Sequence, residues 1–101
     1  MIIYNVTVNI DEDVHDEWLD WMRKTHIPDV MATGLFIESK IAKVHSDDDH
    51  FSYAISYLCK DKHTLQQYHD IFAPKLQREH AAKFEGKFAA FRTFLDVIES
   101  F

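Results

Sequence analysis

The sequence predicts an α+β fold in which two β-α-β halves share one four-stranded antiparallel sheet. Three observations carry that expectation. Apolar and polar residues alternate with period two over residues 2–10 and 51–59. Two longer segments place apolar residues at helical spacing instead. Each of those segments is interrupted by one of the chain's two prolines and followed by one of its two glycines.

The elements follow in order. Along residues 2–10, Tyr4, Val6, Val8 and Ile10 point one way and Ile3, Asn5, Thr7 and Asn9 the other, which is a strand. Asp11 and Asp13 then offer side-chain oxygens as helix caps, and Glu12, Asp16 and Glu17 suit the positive end of the helix dipole. Val14, Trp18, Trp21, Met22 and Thr25 form the helical stripe, widened by Leu19. Pro28 cannot donate to the Lys24 carbonyl and clashes with it, so the helix kinks or ends there, and Gly34 supplies the stop. Residues 35–45 read as a second strand, Ser46 to His50 as a polar hairpin loop and residues 51–59 as a third strand. Phe51, Tyr53, Ile55 and Tyr57 share one face of that third strand. Asp61 is placed to cap a second helix with the stripe Leu65, Tyr68, Phe72, Leu76, His80 and Phe84, interrupted at Pro74 and closed at Gly86. Residues 88–98 make a last strand that is apolar on both faces.

The order β-α-β-β-α-β is the ferredoxin-like arrangement, and it takes up residues 1–101 as one domain. Right-handed crossovers put strands one and three at the sheet centre and both helices on one face. Two helices cover only that face. The other would carry Phe, Tyr, Ile and Leu side chains of strands three and four, made partly polar by Asn5, Thr7 and Asn9 or by their neighbours. A lone protomer rarely leaves such a patch in water. The expectation is a homodimer closed sheet to sheet, a dimeric α/β barrel.

Composition narrows the partners. The chain has 101 residues, 47% hydrophobic and 28% charged, with a formal net charge of −6. An acidic chain lacks the basic face that nucleic acid requires. The acid lies mainly in the first half, in clusters at Asp11 to Asp20 and Asp47 to Asp49, where it solvates a helix start and a hairpin tip. No apolar run reaches the roughly 20 residues of a membrane span, and the first residues lack the basic region and cleavage site of a signal peptide. A single cysteine, Cys59, fits a reducing compartment, hence the cytoplasm, and reads as a small buried hydrophobe. Seven histidines invite a metal reading, but none are paired at i, i+4, so no metal is expected. Two glycines leave no room for a phosphate-binding loop.

The stretch Trp18-Leu19-Asp20-Trp21-Met22-Arg23-Lys24-Thr25-His26-Ile27-Pro28-Asp29-Val30, ending at Gly34-Leu35-Phe36, resembles the dimeric α/β-barrel superfamily. Members such as the ethyl-tert-butyl-ether-degradation type carry a His-x-Pro pattern there. With Ile2-Ile3-Tyr4-Asn5-Val6-Thr7-Val8 and Phe91-Arg92-Thr93, the chain is similar to an uncharacterised bacterial family of that superfamily. The superfamily includes cofactor-free quinol monooxygenases, haem-degrading monooxygenases, lactone isomerases, aldehyde-forming dehydratases and ligand-sensing modules. The resemblance implies a cleft between helices and sheet for a hydrophobic or aromatic small molecule, with no cofactor. Haem-degrading members use a strand-one Asn, a Trp and a His, and Asn5 and His80 fall in comparable places. Tyr68 stands where that Trp would be, which speaks against haem cleavage.

The candidate residues follow. His26, at the kink, has an imidazole whose ordinary pKa suits proton transfer near neutral pH, although a structural role, bonding the freed Lys24 carbonyl or a neighbouring side chain, is the first reading there. His80 is a second acid/base candidate. Asn5, Tyr57, Tyr68 and Arg92 are candidates to bind or orient a ligand. Arg92, a cation in an apolar strand, is expected to pair with a carboxylate across the dimer or in the cleft, and is the best candidate to hold a ligand anion. Trp18 and Trp21 read as core. Three functions stay open: small-molecule binding, a cofactor-free monooxygenase or isomerase, and a structural dimerisation domain.

Overall fold

The computed structural model describes residues 1–45 and 51–101; the expected hairpin loop at Ser46 to His50 and its acidic cluster lie outside the described residues. The strands are β1 (Ile2–Ile10), β2 (Phe36–Lys43), β3 (Phe51–Cys59) and β4 (Phe88–Asp96). They pair antiparallel in the order β2-β3-β1-β4, the ferredoxin-like topology, with β1 and β3 central. Where the alternation of apolar and polar residues was cleanest, in β1 and β3, the strand limits coincide with those read from the sequence. β2 is shorter than expected and carries a register shift between Phe36 and Glu38.

The first helical segment is one bent rod. A 3-10 turn (Glu12–Val14) leads into α1 (His15–Trp21), then a π-helical turn (Met22–His26), then α2 (Ile27–Met31). The π turn is how the chain absorbs Pro28. The Ile27 N–H bonds back five residues to the Met22 carbonyl, so the ladder widens ahead of the proline rather than breaking at it. The expected Asp11 and Asp13 caps do not form: Asp11 makes no side-chain cap bond, and Asp13 instead accepts a hydrogen bond from Lys87 Nζ at 2.8 Å. The second helical segment is α3 (Lys62–Ile71) and α4 (Ala73–Lys83), broken at Phe72 just ahead of Pro74. Here the expected cap is present, since the Asp61 carboxylate accepts from the Thr64 N–H at 2.8 Å.

Both segments cover one face of the sheet. Trp18, Phe84, Ile10 and Ile55 are fully buried between the layers, each contributing roughly 1.5–3 kcal/mol of burial. Cys59 is buried as well. One expectation needs correcting. Tyr53, Ile55 and Tyr57 do not furnish the uncovered face; they are buried under the helices. The uncovered face is built from rows set by the register. Leu58, Ile3 and Leu95 form an apolar row, Ser56, Asn5 and Thr93 a polar one, and Ala54, Thr7 and Phe91 a third. It is more polar than foreseen, and β4 contributes its exposed large apolar groups Phe91 and Leu95.

Gly86, after α4, has φ +73°, and an added Cβ would meet nothing within 4 Å. The cost of Gly86→Ala is therefore conformational alone. It is expected to destabilise the protein by about 1–2 kcal/mol in urea unfolding, and an unchanged midpoint would show that the turn relaxes to negative φ.

Candidate functional site

Between the helices and the sheet lies a cavity of about 270 Å3. Its floor is the helix-facing side of β1, β3 and β4: Tyr4, Val6, Val8, Ile55, Tyr57, Phe88, Ala90 and Arg92. Its roof comes from the π turn, with Met22 and His26, and from α3 and α4, with Tyr68, Leu76, Gln77, His80 and Ala81. Five of the six sequence candidates, His26, His80, Tyr57, Tyr68 and Arg92, thus meet at one cavity.

Asn5 does not. It stands between Tyr4 and Val6 on β1, so the pleat turns it to the uncovered face, where its Nδ2 donates to Thr7 Oγ1 at 3.2 Å. The cleft carboxylate expected for Arg92 is not there; a pairing across the dimer is not tested by one protomer. Among the described residues Arg92 forms no salt bridge, and its Nε donates to the Tyr4 hydroxyl at 3.0 Å.

His80 is fixed by a residue from the other helical segment. The Trp18 indole N–H donates to His80 Nε2 at 2.9 Å in the core. An indole N–H can only donate, so Nε2 must be the unprotonated nitrogen and Nδ1 carries the hydrogen. Burial, reinforced by nearby His26 and Arg92, lowers the His80 pKa to about 4. His80 is therefore a neutral donor at physiological pH, and the acid/base role considered for it does not suit this setting.

His26 differs. Its ring lies 5.7 Å from that of His80 and 5.1 Å from that of Trp21. Its Nδ1 is buried and has no hydrogen-bond partner among the described residues. Burial lowers the His26 pKa, opposed by the charges of Asp29 and Glu79. A neutral imidazole with an unused buried nitrogen on a cavity wall is suited to exchange a hydrogen bond or a proton with an occupant. The hydroxyls of Tyr57 and Tyr68 have no partner among the described residues, and burial raises both pKa values, so both are protonated donors.

Sequence reasoning missed four members of the site. Tyr4, Phe88 and Gln77 line the cavity, and Trp18 positions His80. Tyr4 and Phe88 share the inward parity of their strands, and Gln77 lies beside the α4 stripe, so periodicity carried a signal for each. The Trp18–His80 bond joins residues 62 apart and has no local signature. The remaining His-rich surface holds no cluster suited to a metal among the described residues. No helix of the described residues is long and apolar enough to cross a membrane.

Fold and cavity together define a small ferredoxin-like α+β protein with an internal, donor-lined pocket. More particularly, the chain belongs to the family described as "Domain of unknown function (DUF4286)", whose model matches residues 1–98. None of the curated proteins matches it. Among solved structures it is similar to a dimeric ferredoxin-like protein from an uncultured marine organism, at 10% identity and TM-score 0.80, covering 99% of this chain and 97% of that one. It is also similar to an ethyl tert-butyl ether family protein from Bacillus halodurans, at 17% identity and TM-score 0.71, covering 97% and 100%. A third is SnoaB, a cofactor-independent oxygenase from Streptomyces nogalater, at 12% identity and TM-score 0.71, covering 98% and 95%.

Proposed function

We propose that the protein is a cytoplasmic homodimer, paired through its uncovered sheet face, that binds a small hydrophobic or aromatic molecule in the cavity between helices and sheet. One observation carries the binding reading: a cavity of about 270 Å3 whose wall includes a buried, unpartnered imidazole nitrogen on His26. A buried polar atom without a partner costs about 1–3 kcal/mol, and an occupant offers the missing bond. The volume lies just below the range of drug-sized pockets, which points to ligands of one or two rings. Support for pairing comes from Phe91 and Leu95, exposed on β4, and from the marine relative described as dimeric.

Binding is tested with neutral probes, indole and 1-naphthol, titrated against isotope-labelled protein. Chemical-shift changes should map to Ala81, Ala90 and Phe88. Ala90→Phe, which fills the floor, is expected to abolish them. His26→Ala is expected to weaken 1-naphthol at least tenfold without lowering the melting temperature. Probe binding indifferent to both substitutions would remove the site.

A second reading, a cofactor-free oxygenase or isomerase, is favoured by the same His26 Nδ1, an unused ring nitrogen able to donate or accept a proton beside a wall of protonated donors. The name of the Streptomyces relative agrees with it. Oxygen uptake or solvent-proton exchange on a bound 1-naphthol, lost in His26→Gln while binding persists, separates chemistry from binding alone.

A further inference from the structure

We infer that the preferred occupant of this cavity is an anion: a flat, one- or two-ring molecule bearing a carboxylate that Arg92 receives. The inference rests on the binding reading above and narrows it to a class of ligand.

The charges on the cavity wall are one-sided. Among the described residues Arg92 is its one permanently charged residue and no Asp or Glu lines it, although the chain as a whole carries −6. The remaining polar wall is dominated by donors. The hydroxyls of Tyr57 and Tyr68 are held protonated by burial. His80 keeps its hydrogen on Nδ1 because Trp18 occupies Nε2. A cavity with a positive charge, several donors and no carboxylate is complementary to an acceptor-rich anion.

Arg92 is also arranged to receive one. Its Nε is engaged by the Tyr4 hydroxyl at 3.0 Å, which holds the guanidinium against β1. Its terminal nitrogens meet no carboxylate among the described residues, so the two-pronged edge that matches a carboxylate is free. Arginine bound to protein carboxylate is the ordinary way to neutralise a cation in an apolar strand. Arg92 is instead exposed at the cavity rim, where water solvates its charge until an occupant's carboxylate meets it. The rest of the wall, with Val6, Val8, Ile55 and Phe88, is apolar and fits a ring system rather than an inorganic ion.

The test compares isosteric pairs at pH 7.5: benzoate with benzamide, and 1-naphthoate with 1-naphthamide, each titrated against isotope-labelled protein. The carboxylates are expected to bind at least tenfold more tightly than the amides and to shift the Arg92 Nε–H resonance. In Arg92→Met, which keeps much of the apolar stem, the preference for acid over amide should vanish while amide affinity stays within twofold. Arg92→Lys, which keeps the charge but not the fork, should retain only part of it. Acid and amide binding equally at the cavity would overturn this inference and leave the binding reading standing. No cavity shift from any of the four compounds at millimolar concentration would overturn both.

Discussion

The double variant Phe91→Asp/Leu95→Asp is expected to sediment as a monomer at concentrations where the parent protein is a dimer. Both side chains lie on the uncovered face of β4, at 64% and 45% exposure, so the fold of a protomer does not depend on them. In a two-fold pairing each substitution occurs twice. Four large apolar side chains, at about 1.5 kcal/mol each, amount to about 6 kcal/mol. That corresponds to more than a ten-thousandfold rise in the dissociation constant, before the cost of bringing like charges together. The polar row Ser56, Asn5 and Thr93 runs between the apolar rows and contributes hydrogen bonds and bridging water rather than burial energy. Sedimentation velocity decides the matter, with circular dichroism confirming that the variant is folded. A parent protein that is monomeric at tens of micromolar, or a double variant that still dimerises like it, would refute sheet-to-sheet pairing.

The fold was legible because local and global signals agree. The β-branched alternation of β1 and β3 and the Asp61 cap each specify one structure. Pro28 was harder, because a proline in a helical pattern announces a disruption and not its remedy. The π turn that accommodates it depends on Trp18 and Met22 being anchored in the core. The cavity was legible in part for the same reason: Tyr68 and His80 fall on the apolar stripe of their helical segment, whereas Tyr57 was expected on the uncovered face. Asn5 was misplaced in spite of its own strand. The alternation puts it opposite Tyr4, and only the analogy with haem-degrading proteins drew it toward the cleft. Contacts between distant residues left no trace to read, above all Trp18 with His80 and Arg92 with Tyr4. These long-range bonds decide which nitrogen of His80 is protonated and where the Arg92 guanidinium sits.

The burial of His80, reinforced by nearby His26 and Arg92, makes stability depend on pH. In the unfolded chain His80 titrates near its ordinary value of 6.5, and in the fold at about 4. Between those values the unfolded state binds more protons, so stability rises with pH. The contribution is complete above about pH 6.5 and is lost as pH falls toward 4. A shift of that size, discounted for partial solvent access, is worth on the order of 2 kcal/mol. His26, also lowered by burial, acts in the same direction. His80→Gln provides the control, since a Gln carbonyl can accept from the Trp18 N–H and does not titrate. Carboxylates take up protons over the lower part of the same range in both proteins, so the difference between parent and variant isolates His80. Urea midpoints taken from pH 7.5 to pH 4.5 should fall more steeply for the parent, by an amount equivalent to about 2 kcal/mol. Parallel profiles would mean that protonated His80 is accommodated in the fold, by turning its ring away from Trp18. The ring would then not be locked as a neutral donor, and the cavity would gain a second positive charge in acid. Carboxylate affinity would rise as pH falls toward 5, whereas a locked His80 leaves it nearly flat above that pH.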